Sequence, residues 1–252
     1  MLVVFGANGR SGVELVRAAL ARGLEVRGVC RDNRDQGKIA PFLHYQSIYH
    51  ADPDRPQTLA VAVRGATTVV CCLDRRTTGV DGSEFGYTAA EAVIAAAAAA
   101  GVPHRIHMSV IGASRMALGS LERQAGFMDF GAKKAGAALF RVSCYHDEVA
   151  AAPLPARGRY APVSRSEAAA ILLDWLPRYR DGAELRVGGP EVYSGAELNS
   201  VRQGKKAPAY PGFPGLPAAD LSVTPATTLE QSGTLPVDRL GDWLLRPPPA
   251  PP

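Results

Sequence analysis

Residues 1–31 read MLVVFGANGRSGVELVRAALARGLEVRGVCR, and the order of chemistry along them decides the fold. Leu2 to Phe5 is a continuous apolar run, the pattern of a strand buried on both faces of a parallel sheet. Gly6-Ala7-Asn8-Gly9-Arg10-Ser11-Gly12 follows, with its glycines spaced G-x-x-G-x-x-G. One glycine suits a turn with positive φ, a second lets backbone approach a pyrophosphate, and a third lets a helix pack closely on a strand. Val13, Val16, Leu20 and Leu24 then recur at helical spacing, and Glu25 to Cys30 supplies a second strand. A strand, glycine turn, helix and strand within about 30 residues place a helix N-terminus against an anionic ligand and predict a dinucleotide site.

The end of the second strand chooses between dinucleotides. An acid there accepts the ribose hydroxyls of NAD, whereas a 2′-phosphate needs cationic donors. Arg31 occupies the strand end, with Arg10 in the turn and Arg34 just beyond, so NADP(H) is favoured over NAD(H). Asp32, one residue on, is the group that would serve a ribose instead.

The rest of the composition excludes several classes. With 252 residues, 46% hydrophobic and 21% charged, the chain can bury a full core as an ordinary globular protein. A net charge of +4 without a clustered basic patch gives no nucleic-acid partner. Cys30, Cys71, Cys72 and Cys144 form no CxxC pair and lie mostly in apolar segments, so they read as reduced core thiols. The five histidines fall in no ligand spacing, which leaves no metal site. The most apolar stretch, Ala89 to Ala100, is an alanine helix interrupted by Glu91, so no transmembrane segment is expected. Met1 leads directly into the first strand, and the expected location is the cytoplasm, or an organelle interior if a leader has been removed.

Strand and helix continue to alternate. Tyr45–His50 is a third strand, 52–64 a turn and helix, and 67–73 a fourth strand followed by the polar loop DRRTTGVDGS. A long helix spans 84–100 with Gly101 as its C-terminal cap. A fifth strand follows over 105–109, then a helix over 121–138 and a sixth strand over 139–143. Such alternation predicts an α/β doubly wound parallel sheet. Further on, Ser164-Arg165-Ser166-Glu167 and Ser194-Gly195-Ala196-Glu197 are capping boxes ahead of short helices, and 184–187 is strand-like. The expected organisation is a nucleotide-binding core over 1–150, a small α/β substrate or lid part over 151–202, and a proline- and glycine-rich extension over 203–252. That extension cannot build a core, and its PPPAPP end suits docking on a protein partner.

Taken together, these motifs resemble the NmrA-like, atypical short-chain dehydrogenase/reductase family, whose core is the NAD(P)-binding Rossmann fold. Gly6 to Gly12 is similar to the family's GATGxxG, and Arg31 falls where its members hold the adenosine phosphate. His50-Ala51-Asp52 resembles the GD step whose acid approaches adenine. Val69 to Leu73 resembles the strand that ends beside the cofactor, which brings Cys72 and Leu73 to it. His107-Met108-Ser109-Val110 corresponds to the segment near the nicotinamide, and Arg141-Val142-Ser143 to the RPG strand end. Pro162–Ala170, Val187–Glu191 and Ser194–Leu198 match the family's closing motifs. The resemblance therefore implies cofactor contacts from Gly6, Asn8, Gly9, Arg10, Ser11, Gly12, Arg31, Asp52, Cys72, Leu73, Lys133 and Ser143.

The departures fall where chemistry is expected. Family reductases use a Tyr-x-x-x-Lys pair in which the phenol passes a proton to the substrate carbonyl. This chain has Phe130-Gly131-Ala132-Lys133-Lys134, so Phe130 stands at the tyrosine position, or Asp129 does in the register that starts from Ala132-Lys133. Both registers lack the phenol. Ser109 and Lys134 are then the candidate catalytic groups, with Lys133 or Lys134 on the nicotinamide ribose. Tyr87, Tyr145 and His146 are other side chains able to reach a substrate. Two functions stay open: a slow NADP(H)-dependent reductase of a small carbonyl, enone or quinone, and a non-catalytic nucleotide-binding accessory or assembly subunit of a larger complex.

Overall fold

The computed structural model describes residues 1–31, 33–73, 88–117, 120–151, 153–154, 159–180, 182–203 and 210–211. Its first half runs β1 (Leu2–Phe5), α1 (Arg10–Ala21), β2 (Val26–Cys30), β3 (Ile48–His50), α2 (Pro56–Val63), β4 (Thr68–Cys71), α3 (Ala89–Ala99), β5 (His104–Val110), α4 (Ser120–Lys134) and β6 (Ala138–Val142). There follow β7 (Cys144–Tyr145), α5 (His146–Ala151), β8 (Arg159–Tyr160), β9 (Pro162–Val163), α6 (Arg165–Trp175), β10 (Glu184–Val187), β11 (Glu191–Ser194), α7 (Gly195–Arg202) and β12 (Tyr210–Pro211). Asp32, the loop from 74 to 87 with Tyr87, and the extension apart from Gln203, Tyr210 and Pro211 lie outside the described residues.

Boundaries move from the sequence reading for local reasons. The third strand starts at Ile48 because Tyr45–Ser47 curl into a 3-10 turn, whose opening is capped by the His44 side chain accepting from the Gln46 amide. Asp52 opens a turn with one carboxylate oxygen, its Oδ1 accepting from the Asp54 amide at 3.0 Å, and α2 starts at Pro56. The fourth helix stops at Lys134 because Gly136 takes φ +88, a conformation that ends a helix. Gly101, φ +70, closes α3 in the same way. Ser194 and Glu197 make the reciprocal capping box in full, whereas at α6 Ser164 caps the Glu167 amide and its hydroxyl meets the Glu167 carboxylate.

Seven strands form one sheet in the order β10-β6-β5-β4-β1-β2-β3. β1 pairs in parallel with both β2 and β4, and β4 with β5, as the doubly wound expectation requires. The chain winds outward from β1 to β3 on one side and from β4 to β6 on the other, so the switch point lies between β1 and β4. In this architecture ligands bind outside the carboxyl ends of the strands at that switch. One face of the sheet, with Val3, Phe5, Val29, Val69 and Cys71, packs on Leu59 and Val63 of α2, Val93, Ile94 and Ala97 of α3, and Met128 and Ala132 of α4. The pleat turns Leu2 and Val4 to the other face, and α1 buries Leu15, Val16 and Ala19.

The chain divides into two compact units that interleave in sequence rather than following one another. The first holds residues 1–140 with 179–184, and the second holds 141–178 with the described residues from Leu185 onward. Residues 179–184 belong with the first because the Tyr179 hydroxyl accepts from the Arg105 amide at 2.9 Å and the Ala183 carbonyl accepts from the Leu139 amide at 2.9 Å. The second unit has its own apolar cluster of Cys144, Val149, Tyr193 and Leu198. Its strand β11 pairs antiparallel with β8 and β12.

Candidate functional site

The glycine turn follows β1 at the switch point. Gly6 has φ +72, and a Cβ there would sit 3.2 Å from Leu73 Cδ2 and 3.3 Å from the Cys72 carbonyl, so conformation and space both demand glycine. Gly6 and Ala7 each donate to the Val29 carbonyl, and Cys72 donates to the Phe5 carbonyl, which fixes the turn between β2 and β4. A Cβ on Gly12 would lie 2.1 Å from the Gly6 carbonyl oxygen, so the helix can sit this close to the turn only with hydrogen at that position. Gly9 differs: a Cβ there would meet only the Gly6 carbonyl, at 3.1 Å, and the space beyond is open.

That open side faces the start of α1. Gly9 is its N-cap, gives it no side-chain cap, and the first turn contains no acid. The positive end of the helix dipole is thus left to an outside anion. Arg31 lies directly after β2, at the same edge of the sheet, and its Nε is buried with no hydrogen-bond partner among the described residues. A buried guanidinium nitrogen without an acceptor is costly, and an anionic oxygen would satisfy it. A glycine turn with one open face, an acid-free helix start and this orphaned nitrogen all fit a dinucleotide phosphate. Asp52, two residues past β3, lies farther along that edge; Arg10 and Ser11 belong to the first turn of α1. The Arg34 side chain lies outside the described residues.

On the other side of the switch, the register places Phe5, Cys71 and His107 in one row across β1, β4 and β5. Ser109 stands two residues further along β5, about 10 Å sideways from the turn by two strand spacings. Its Oγ is buried and has no hydrogen-bond partner among the described residues. Next to it, His107 Nε2 and Asp129 Oδ1 face each other at 3.5 Å, with side chains 2% and 4% exposed. Burial pushes the Cys71 thiol up to about 12, against an ordinary 9.0, and the Cys72 thiol is likewise raised. Cys72 Sγ lies 3.3 Å from Met108 Sδ, so these thiols are inert packing groups.

The two lysines are placed elsewhere. Helix α4 runs opposite to β5: Asp129 meets His107, while a Cβ on Gly136 would meet the Arg105 guanidinium at 3.2 Å. Lys133 and Lys134 therefore fall on the side of Asp129 away from Ser109, about 12 Å from its level by one helix turn plus two strand residues. Lys133 pairs with Glu184 at 3.3 Å and Lys134 with Glu91 at 3.1 Å. Phe130 is half exposed under the Arg115 guanidinium, 3.9 Å from its ring centroid. In the second unit, the Ser143 hydroxyl accepts from the Ala161 amide at 2.9 Å, Tyr145 lies beneath the Arg165 guanidinium, and His146 bonds the Pro162 carbonyl. The structure thus gathers Gly6 to Gly12, Arg31, Cys72, Leu73 and Ser109 at one edge of the sheet and does not bring Lys133 or Lys134 to Ser109. The His107–Asp129 pair is a grouping that sequence reasoning missed. The available signal was a polar residue at an inward position of an apolar strand and another on the buried stripe of the facing helix.

A family model described as NAD(P)H-binding matches residues 6–143, more than half of the chain. The chain belongs to this NAD(P)H-binding family. The resemblance to NmrA-like, atypical short-chain dehydrogenases/reductases drawn from the motifs holds. Among solved structures, the chain is similar to the NADPH-dependent quinone oxidoreductase QOR2 from Escherichia coli in complex with NADPH, at 18% identity and TM-score 0.71, covering 97% of this chain and 98% of that one. It is also similar to the triphenylmethane reductase of Citrobacter sp. complexed with NADP(H), at 17% identity and TM-score 0.66 over 96% and 98%. A nucleoside-diphosphate-sugar epimerase from Staphylococcus aureus gives 16% identity and TM-score 0.66 over 97% and 99%. At these identities the likeness establishes the fold. A search of curated protein sequences gives no match. Among the described residues, no helix is long and apolar enough to cross a membrane.

Proposed function

We propose that this protein is an NADP(H)-dependent reductase, slow toward simple carbonyls and better suited to quinones and enones. The observation that carries the cofactor choice is the buried, partnerless Nε of Arg31 at the end of β2, beside an acid-free helix start. The backbone of Gly6 to Gly12 would hold the diphosphate, Arg31 and Arg10 the 2′-phosphate, Asp52 the adenine end, and Cys72 and Leu73 the ribose side at the end of β4. When bound, the dinucleotide supplies a hydride. Ser109 is the group that faces the acceptor oxygen, and its hydroxyl proton is the one available to it.

Acceptor preference follows from the missing phenol. Reducing a ketone places full negative charge on oxygen, and losing a positioned acid there costs about 10²- to 10⁴-fold in rate. A quinone spreads that charge over its own ring and needs no proton in the same step. Orientation against the hydride donor still supplies much of the acceleration. The neighbours of known structure include a quinone oxidoreductase and a triphenylmethane reductase by name, which supports the same class.

The test is a fluorescence titration with NADPH and NADH, followed by turnover with a quinone, an enone and a simple ketone. The expected result is tighter binding of NADPH and a rate order quinone, enone, ketone. Binding of NADPH with no turnover on any acceptor would instead establish the non-catalytic accessory role. Equal binding of both dinucleotides would remove the argument from Arg31.

A further inference from the structure

The groups the reductase reading leaves unused are the most expensive ones in the first unit. His107 and Asp129 are two ionisable side chains almost without solvent, and replacing such a pair with apolar side chains is often neutral or stabilising. Fold stability alone therefore gives little reason to keep them. His107 lies on the face of β5 that carries Ser109, since residues two apart on a strand share a face, and Asp129 meets it from α4. Asp129 is on α4 at one of the two positions where the family's phenol would stand. Ser109 presents a buried hydroxyl that finds no partner among the described residues. A serine hydroxyl is a poor acid, so it can protonate an acceptor only if its own proton is promptly replaced.

We propose that His107 and Asp129 form the proton reservoir behind Ser109, in place of the missing tyrosine, and that this lets the site reduce enones and carbonyls as well as quinones. This rests on the reductase reading above. The acceptor carbon takes a hydride from the reduced dinucleotide, and the C=O π pair moves to oxygen. That oxygen takes the Oγ proton of Ser109. The serine oxygen is reprotonated from the His107 imidazolium through one water, which spans the roughly 6.6 Å between alternate residues of a strand. Asp129, 3.5 Å from Nε2, orients the ring, and the proton is restored from solvent by way of Ser109 after product leaves. Ser109 is the catalytic residue; His107 and Asp129 are positioning residues that act through it.

Competing charges near this face are engaged elsewhere. On α3, Glu91 is paired with Lys134; on α4, Lys133 is paired with Glu184. Glu122 and Arg123 lie about 10 Å up α4 from Asp129. Arg105, two residues back on β5, donates to the Val102 carbonyl, and Cys71 on β4 is held as a neutral thiol by burial. In the first unit, β6 contributes Ala138, Leu139 and Phe140, which carry no charge.

The experiment compares wild type, Ser109→Ala, Asp129→Asn and the double variant His107→Leu/Asp129→Leu, whose apolar pair keeps the protein folded if Asp129→Asn does not. NADPH fluorescence, histidine titration by NMR, and reduction of an enone and a quinone across pH 5 to 9 are the readouts. The expected result is NADPH affinity within about twofold in all variants, a His107 resonance that titrates in wild type and shifts to lower pH in Asp129→Asn, and enone turnover reduced about 10²-fold with its pH dependence flattened. Quinone turnover falls less than enone turnover. A His107 ring that stays neutral across this range overturns the reservoir, as does a folded double variant that reduces the enone at the wild-type rate. If wild type binds NADPH and reduces neither acceptor, or does not bind NADPH, the reductase reading and the reservoir fall together. Normal turnover in the variants removes the reservoir alone.

Discussion

Two stretches of the same sheet edge follow different rules. Around β1 and α1 every special position is filled by the residue its geometry demands. Gly6 is at positive φ against Leu73, Gly12 lies under the Gly6 carbonyl, and no acid occupies the opening turn of the helix. Around β5 and α4 side chains set the pattern instead: the buried imidazole of His107 and carboxylate of Asp129 face each other, while Lys133 and Lys134 at the end of the helix pair with Glu184 and Glu91. On the reductase reading proposed above, the contrast teaches that holding a dinucleotide and using it are separately encoded. The first depends on backbone shape, which few substitutions can satisfy. The second depends on a proton donor, for which side chains of several kinds can serve.

The sharpest way to break this contrast is at Gly12. Gly12→Val would drive side-chain atoms into the Gly6 carbonyl, so a loss of about 3 kcal/mol in chemical denaturation is expected, together with loss of NADPH binding. Unchanged stability and affinity would mean that the turn is not the rigid half of the pair. A middle-sized effect is expected from Arg31→Ala, which removes a charge-assisted contact and should weaken NADPH by about 10- to 100-fold with NADH changed by less than about threefold. Equal weakening measured by fluorescence would show that Arg31 supports the fold and not the 2′-phosphate. The smallest effect belongs to Lys134→Ala. Its ion pair with Glu91 is largely exposed, so stability should change by less than about 0.5 kcal/mol and turnover by less than about twofold. A tenfold loss of turnover would return this lysine to the site and erase the difference between the two stretches.

The parts legible in the sequence share one property. The apolar run of β1, the glycine spacing, the capping box at Ser194 and the glycine end of α3 all depend on neighbours within a few residues, and they stand where the pattern placed them. What was harder to read depends on contacts distant in the chain. The short strands β8, β11 and β12 carry only two to four residues each, too few for periodicity to register. The interleaving of the two units follows from Tyr179 bonding Arg105 across 74 positions, which no linear pattern records.

By itself the sequence determined that a parallel sheet would open on a glycine turn beneath a helix N-terminus, because glycine spacing and strand hydrophobicity act through local backbone geometry. Only the tertiary structure decided which polar side chains share the interior of that edge. Helix α4 runs opposite to β5, and this antiparallel packing sets Asp129 against His107 while carrying Lys133 and Lys134 away from Ser109. Helix length and packing angle, more than residue type, settle which groups meet.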